Sequence, residues 1–187
     1  DDSGKTWSAV RAADGKLSPL STGFSETFPV IESDGRIFMM IRTGLASPAY
    51  SCASVDGGRS WSPVVKTPIH AKHPLPRKLR DGTIVCSYQR RGAVPYGVRA
   101  RFTRDLGKTW SVEVVLRDDV PISNALAEAN TVQFSDGTLF TAFQAVKRDD
   151  RGRVQPFIAG CHWTRNFRGP LTPRLPVPPR RKKINSK

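Results

Sequence analysis

The chain has 187 residues, of which 38% are hydrophobic and 25% are charged, an ordinary composition for a soluble globular protein. No apolar run is long enough to span a membrane as a helix, and no signal peptide is visible. The net charge is +14, but residues 166–187 contain seven of the Lys and Arg residues and no acid. Half of the positive excess therefore lies in this tail, and we do not expect nucleic acid as a partner.

A short motif ending in Trp opens the chain and recurs along it. It is partial at Asp2–Trp7 and complete at Ser54–Trp61 and Thr103–Trp110. The three tryptophans are 54 and 49 residues apart, a period typical of propeller blades or solenoid turns. The Asp of the motif can accept backbone N–H groups, Gly supplies a positive φ, and Trp fills the gap beside a sheet. We therefore predict that the motif is structural and not catalytic.

Each repeat also contains an Asp-Gly pair between two apolar segments, at Asp34, Asp81 and Asp136, which predicts a tight hairpin. The predicted strands are 28–32, 37–42, 50–54 and 61–66, then 74–79, 83–89, 98–103 and 110–116, then 129–134, 138–145 and 157–163.

One four-stranded sheet cannot bury both of its faces, whereas sheets stacked around an axis can. Residues 1–165 are thus expected to form an all-β propeller with about three and a half four-stranded blades. Because closed propellers have about four to eight blades, we expect this chain to be the C-terminal part of a longer protein, whose remaining blades pack against it.

The other features of the chain predict neither a metal site nor a cofactor. Residues 166–187 are basic and contain five prolines, so this tail is expected to be disordered. Three cysteines without a short spacing predict no disulfide framework or zinc ribbon. His70 and His73 are suitably spaced for a metal, but Pro74 follows and no third ligand is apparent.

The motif resembles the Asp-box of the sialidase superfamily, Ser-x-Asp-x-Gly-x-Thr-Trp, at Ser54–Trp61 and at Thr103–Trp110. Three further segments, which begin at Glu26, Arg91 and Thr131, are similar to the bacterial exo-sialidase-like branch. The resemblance implies a six-bladed propeller and a glycoside hydrolase that removes terminal sialic acid or a related sugar from glycoconjugates. It also implies that no cofactor is needed, and it favours a secreted or periplasmic location.

The resemblance implies roles for particular residues. In that family three arginines bind the substrate carboxylate, a Tyr paired with a Glu attacks the anomeric carbon, and an Asp is the acid/base. Glu26 is similar to the Glu that polarises the Tyr, and Arg42 to the second arginine. Arg99 or Arg91 is the third, with Arg99 preferred because it begins a strand ahead of an Asp-box. The first arginine and the Asp are expected before residue 1.

The sequence departs from the family pattern at the nucleophile. Glu128 stands where the family has its Tyr. Tyr96 could substitute, because it is expected near the same end of the propeller axis, the mouth, where the family has its active site. Glu26 and Glu128 could then act as a carboxylate pair, as in most glycosidases, on a sugar without an anomeric carboxylate. The alternative is a non-catalytic Asp-box propeller that binds glycan or protein through the same mouth.

Overall fold

The computed structural model describes residues 5–6, 8–10, 12–13, 23–44, 48–120 and 128–166. These residues form strands and turns and contain no helix. Accordingly, within them no helix is long and apolar enough to cross a membrane. Asp2 and Trp7 of the first motif and residues 167–187 of the predicted tail lie outside the described residues.

The strands form three antiparallel sheets, in each of which consecutive strands are neighbours. The first sheet contains β1 (Thr27–Ile31), β2 (Ile37–Ile41), β3 (Pro48–Ser54) and β4 (Val65–His70). The second contains β5 (Lys72–Lys78), β6 (Ile84–Arg90), β7 (Tyr96–Thr103) and β8 (Val114–Val120). The third contains β9 (Ala129–Gln133), β10 (Leu139–Arg148) and β11 (Val154–Trp163). The all-β prediction is confirmed, and the arrangement is propeller-like, although the described strands do not close a ring.

The three predicted Asp-Gly hairpins are confirmed, and each joins the first two strands of a sheet. Gly35 and Gly137 have φ values of +82° and +91°, a region that residues with a Cβ adopt at a cost. The Asp side chain closes the turn, since Asp136 Oδ1 accepts the Thr138 N–H at 2.9 Å. These short sequences therefore determine their own turns.

The predicted outer strands of the first two sheets are wrong in position by about four residues. They were expected at 61–66 and 110–116, whereas β4 begins at Val65 and β8 at Val114. The reason is that each Trp belongs to the preceding turn, where Trp61 Nε1 and Trp110 Nε1 donate to backbone carbonyls at 3.0 Å.

The core lies between the faces of adjacent sheets. Alternate residues of β6 point in opposite directions, so Ile84, Cys86 and Tyr88 pack against the first sheet, whereas Val85 packs against the third. The first strands of the three sheets are neighbours, since β1 contacts β5 and β5 contacts β9. These three strands are therefore the innermost strands of their sheets.

Candidate active site

The first strands of the three sheets all begin at the same end of the molecule. Glu26 directly precedes β1, His73 is the second residue of β5, and Glu128 directly precedes β9. Because these inner strands are neighbours, their first residues converge. The Trp-ended turns lie at the opposite end, since they follow β3 and β7, which begin at the end where Glu26 lies.

Glu26 and Arg42 are joined through both backbone and side chain. The Arg42 N–H donates to the Glu26 carbonyl at 2.8 Å, which continues the pairing of β1 with β2. Arg42 Nη1 also donates to Glu26 Oε1 in an ion pair. The Arg42 side chain is mostly buried, and its Nε is a buried donor with no partner among the described residues.

His73 contacts both carboxylates through one ring nitrogen. Its Nδ1 lies 3.0 Å from Glu26 Oε2 and 3.5 Å from Glu128 Oε1. The side chain is 16% exposed and its ring meets Phe28 edge to face, with centroids 6.5 Å apart. Its backbone φ of +51° is uncommon for a residue with a Cβ. His73 is thus held at the centre of the cluster.

Two further cations complete this cluster. Arg91, which follows β6, is buried, and its Nε and Nη2 both donate to Gln89 Oε1, at 3.2 and 3.0 Å. Burial lowers the pKa of Arg91, and the charge of Arg42 lowers it further, whereas Glu128 and Glu26 oppose the shift. The pKa of Lys72 is also lowered, mainly by burial and further by the positive charges of Arg91 and Arg42. Lys72 is opposite Gln89 in the pairing of β5 with β6, so Arg91, which is bonded to Gln89, lies at the same end of the sheet as Lys72 and His73. We call Glu26, Arg42, Lys72, His73, Arg91 and Glu128 the mouth cluster.

The mouth cluster holds Glu26 ionised and His73 neutral near pH 7. Burial alone would raise the pKa of the Glu26 carboxyl, but the hydrogen bond from Arg42 and the nearby positive charges outweigh it, and the pKa is lowered. Burial lowers the pKa of His73, and the attraction of Glu26 and Glu128 only partly offsets this because Arg42 and Arg91 repel a proton. A neutral His73 with its Nδ1–H on Glu26 leaves Nε2 as a hydrogen-bond acceptor.

The structure therefore brings four of the six sequence-predicted site residues together, namely Glu26, Arg42, Arg91 and Glu128. Sequence reasoning considered His73 only as a metal ligand and missed it as a member of this cluster. The available signal was its place at the start of an inner strand, equivalent to those of Glu26 and Glu128. Within the described residues, no group of His, Cys, Asp and Glu side chains is arranged to hold a metal ion.

Arg99 and Tyr96 have their contacts elsewhere. Arg99 is almost fully buried, forms an ion pair with Glu113 at 3.3 Å, and donates to the carbonyls of Val98 and Arg117. Tyr96, the first residue of β7, packs against two buried valines, Val120 and Val146. The hydrogen bonds and ion pair of Arg99 and the apolar packing of Tyr96 are thus made with residues outside the mouth cluster.

The fold and the mouth cluster together describe an all-β, propeller-like protein with a mixed-charge cluster where the innermost strands begin. No protein-family model and no curated protein matches the chain. Among solved structures, the chain is similar to a protein of unknown function from Dyadobacter fermentans, with 25% identity and a TM-score of 0.64. This match covers 75% of our chain and 38% of the other.

Two carbohydrate-active proteins share the fold at lower identity. The Hadza microbial sialidase Hz136 has 19% identity and a TM-score of 0.53, over 84% of our chain and 36% of the sialidase. An ulvan lyase, a polysaccharide lyase, has 17% identity and a TM-score of 0.52, over 77% of our chain and 42% of the lyase. The chain thus spans less than half the length of each of these proteins, and the likeness is one of fold.

Proposed function

We propose that this protein is a sialidase-like glycoside hydrolase with a six-bladed propeller, and that the mouth cluster is its site for a terminal acidic sugar. The observation that carries the proposal is the meeting of Glu26 and Glu128 at one nitrogen of His73, flanked by Arg42 and Arg91. The fold shared with a sialidase and a polysaccharide lyase supports a carbohydrate-active protein.

The two arginines provide the binding side of the proposed site. A guanidinium group binds a carboxylate through two parallel hydrogen bonds, so Arg42 and Arg91 suit an acidic sugar. Arg91 takes the place of Arg99 in this proposal, because the buried Arg99 is already paired with Glu113.

The two carboxylates provide the reactive side. Their oxygens contact the same atom at 3.0 and 3.5 Å, so they cannot lie further apart than these two contacts placed end to end. Glu128, the more exposed carboxylate, is assigned as the nucleophile. Glu26, kept ionised by Arg42, is assigned to position His73 and not to donate a proton. Tyr96 has no role in this proposal.

The test is hydrolysis of an aryl uronide, whose carboxylate is not on the anomeric carbon, beside an aryl sialoside and neutral aryl glycosides, by the protein and its variants. We expect turnover of an acidic glycoside that falls by about two to four orders of magnitude in Glu128→Gln and by a similar factor in Arg42→Ala. Arg36→Ala is the matched control, because this exposed arginine pairs with Asp34 at the opposite end of the same hairpin. Full activity in Glu128→Gln would remove the carboxylate-nucleophile assignment.

A second candidate is a non-catalytic propeller that binds glycan through the same mouth. The observation that favours it is the ion pair between Arg42 and Glu26, in which Arg42 already occupies one oxygen of Glu26. Saturable binding of acidic glycans that is lost in Arg42→Ala, with no cleavage of any glycoside, would support this candidate over the hydrolase. A glycuronan substrate belongs in the same assay, because a lyase would reveal itself by an ultraviolet-absorbing unsaturated product.

A further inference from the structure

A second polar cluster lies between the first and second sheets, away from the mouth cluster. In the pairing of β6 with β7, Arg99 is opposite Tyr88 and Arg101 is opposite Cys86. Tyr88 and Cys86 pack against the first sheet, so these two arginines lie on the same side. A position that alternation would reserve for apolar packing is therefore occupied by cations.

Glu113 is the single carboxylate at the centre of this second cluster. Its Oε2 accepts the hydroxyl of the fully buried Tyr88 at 2.6 Å. Its Oε1 lies 3.3 Å from Arg99 Nε and 3.8 Å from Arg90 Nη1. Burial and the adjacent Glu113 charge raise the pKa of Tyr88 well above its usual value, so the phenol is neutral. Glu113 thus contacts the Tyr88 hydroxyl and two arginines.

The charges of this second cluster do not balance. Arg90, Arg99 and Arg101 carry three positive charges, whereas Glu113 carries one negative charge and Asp118, whose charge also attracts Arg99, carries a second. Arg101 Nη1 donates to the Ser111 carbonyl at 2.6 Å, whereas its Nε is a buried donor with no partner among the described residues. A buried donor is costly when it is left without a partner. One positive charge of this cluster therefore remains in excess, and an anionic ligand could neutralise it.

A cavity of about 370 Å³ opens onto this surplus. It is lined by Pro68 and His70 of β4, by Gly92 and Ala93 of the loop between β6 and β7, and by Arg90, Arg101 and Glu113. A sulfate or phosphate group is much smaller than this volume, so the cavity could also accept part of a molecule that carries such a group.

We propose that this cavity, which we call the intersheet cavity, binds an oxyanion of the sulfate or phosphate class. Arg90 and Arg101 bind the oxygens through their guanidinium groups, which favour bidentate contacts with such anions. Glu113 limits the affinity by repulsion while it holds Arg99 and Tyr88 in place. The site is distinct from the mouth cluster and does not depend on the proposed hydrolase activity.

The test is calorimetric titration of the protein with sodium sulfate and with inorganic phosphate at constant ionic strength. We expect saturable binding that weakens by about tenfold or more in Arg101→Gln and in Arg90→Gln. Arg151→Gln, in the exposed hairpin between β10 and β11, is the matched control and should bind as the wild type does. Absence of saturable binding up to about 20 mM, or equal binding by Arg101→Gln, would overturn the proposal.

Two further arms separate this site from a purely structural cluster and from the mouth cluster. Glu113→Gln removes the repulsion and should tighten sulfate binding several-fold, whereas a structural role alone would leave it equal or weaker. Arg42→Ala should leave sulfate binding unchanged, and loss of binding in that variant would assign the anion to the mouth cluster and overturn the proposal.

A last comparison identifies the source of the anion. A sulfated monosaccharide that binds more tightly than inorganic sulfate, and whose unsulfated parent does not bind, would identify an ester on a sugar. Equal affinity of the sulfated sugar and sulfate would identify the free oxyanion. Equal binding of the sulfated sugar and its parent would contradict an oxyanion site.

Discussion

Arg165 binds Asp81 through two hydrogen bonds although 84 residues separate them: Nη1 lies 2.6 Å from Oδ2 and Nη2 lies 2.8 Å from Oδ1. Asp81 is in the hairpin between β5 and β6, and Arg165 follows β11. The pair thus connects the last strand of the third sheet to the second sheet. The Arg165 hydrogen bond is the main cause that lowers the pKa of Asp81, and Thr83 adds to it.

The first prediction concerns this ion pair. Arg165→Gln should lower the free energy of unfolding by about 1 kcal/mol, because Asp81 is partly exposed and solvent screens the pair. A carboxyl with a lowered folded-state pKa stabilises above its ordinary pKa of 3.8, and this stabilisation is lost as the pH falls. Urea unfolding should therefore show a difference from the wild type that is full at neutral pH and shrinks below pH 3.8. An equal loss in Arg151→Gln, or a loss independent of pH, would contradict this account.

The second prediction compares glycines at the same place in two Trp-ended turns. Gly107 and Gly58 both have positive φ, +82° and +90°. A Cβ on Gly107 would lie 2.7 Å from the buried ring of Phe38, whereas one on Gly58 would lie 3.4 Å from Ile37. Gly107→Ala should destabilise by about 2–3 kcal/mol and Gly58→Ala by about 1 kcal/mol, since only the first adds a core clash to the backbone cost. Equal shifts in denaturation midpoint would show that Phe38 moves freely.

The third prediction separates the turns from the chemistry. Asp105 accepts the Thr109 N–H at 2.9 Å and the Thr109 hydroxyl at 2.6 Å, at the end of the sheet opposite the mouth cluster. Asp105→Ala should therefore destabilise by about 1–2 kcal/mol. Any glycosidase activity of the folded protein should keep its kcat/KM. A fall in kcat/KM at a temperature where the variant is fully folded would place the turn in the active site.

The fourth prediction concerns His73 and pH. Its pKa is lowered from 6.5, so the unfolded chain binds the proton more readily, and folding stability falls as the pH drops below 6.5. His73→Asn, which tolerates the left-handed backbone, should flatten this part of the stability curve. Urea unfolding of both proteins between about pH 7 and 5 measures the slope. Identical slopes would contradict the lowered pKa of His73. They would mean that the attraction by Glu26 and Glu128 fully offsets the effects of burial and of repulsion by Arg42 and Arg91 on this pKa.

The fifth prediction concerns the thiols. Cys52, Cys86 and Cys161 are all free and buried. Burial raises the pKa of Cys52 and of Cys161 to about 11 and that of Cys86 further, so few thiolates are present near neutral pH. A thiol reagent should label the native protein slowly and label all three cysteines once it is unfolded. Rapid labelling of the native protein would indicate that a sheet opens.

The sequence was sufficient to predict those structural features that depend on a few neighbouring residues. The Asp34, Asp81 and Asp136 hairpins were predictable because the Asp side chain and a glycine with positive φ close each turn. Most strands were predictable from apolar periodicity, except at β4 and β8. There the tryptophan that looks like the start of a strand is hydrogen-bonded back into its turn.

The candidate site could be predicted only in part. The resemblance to the sialidase pattern selected Glu26 and Glu128, each before an inner strand, and Arg42 at the end of the next strand. The same reasoning preferred Arg99 over Arg91, although Arg99 faces the first sheet and contacts Glu113. Strand periodicity shows which face of a sheet a residue lies on, but not which of the two neighbouring sheets covers that face.

The sequence by itself determined the all-β class, the repeat, the hairpins and the residues at which the inner strands begin, because each depends on contacts within one repeat. Only the tertiary structure decided which charges meet. His73 is between two glutamates and Arg165 is on Asp81 because separate sheets pack against one another. Such contacts arise between residues that are far apart in the chain, and no local pattern in the sequence encodes the distance between them.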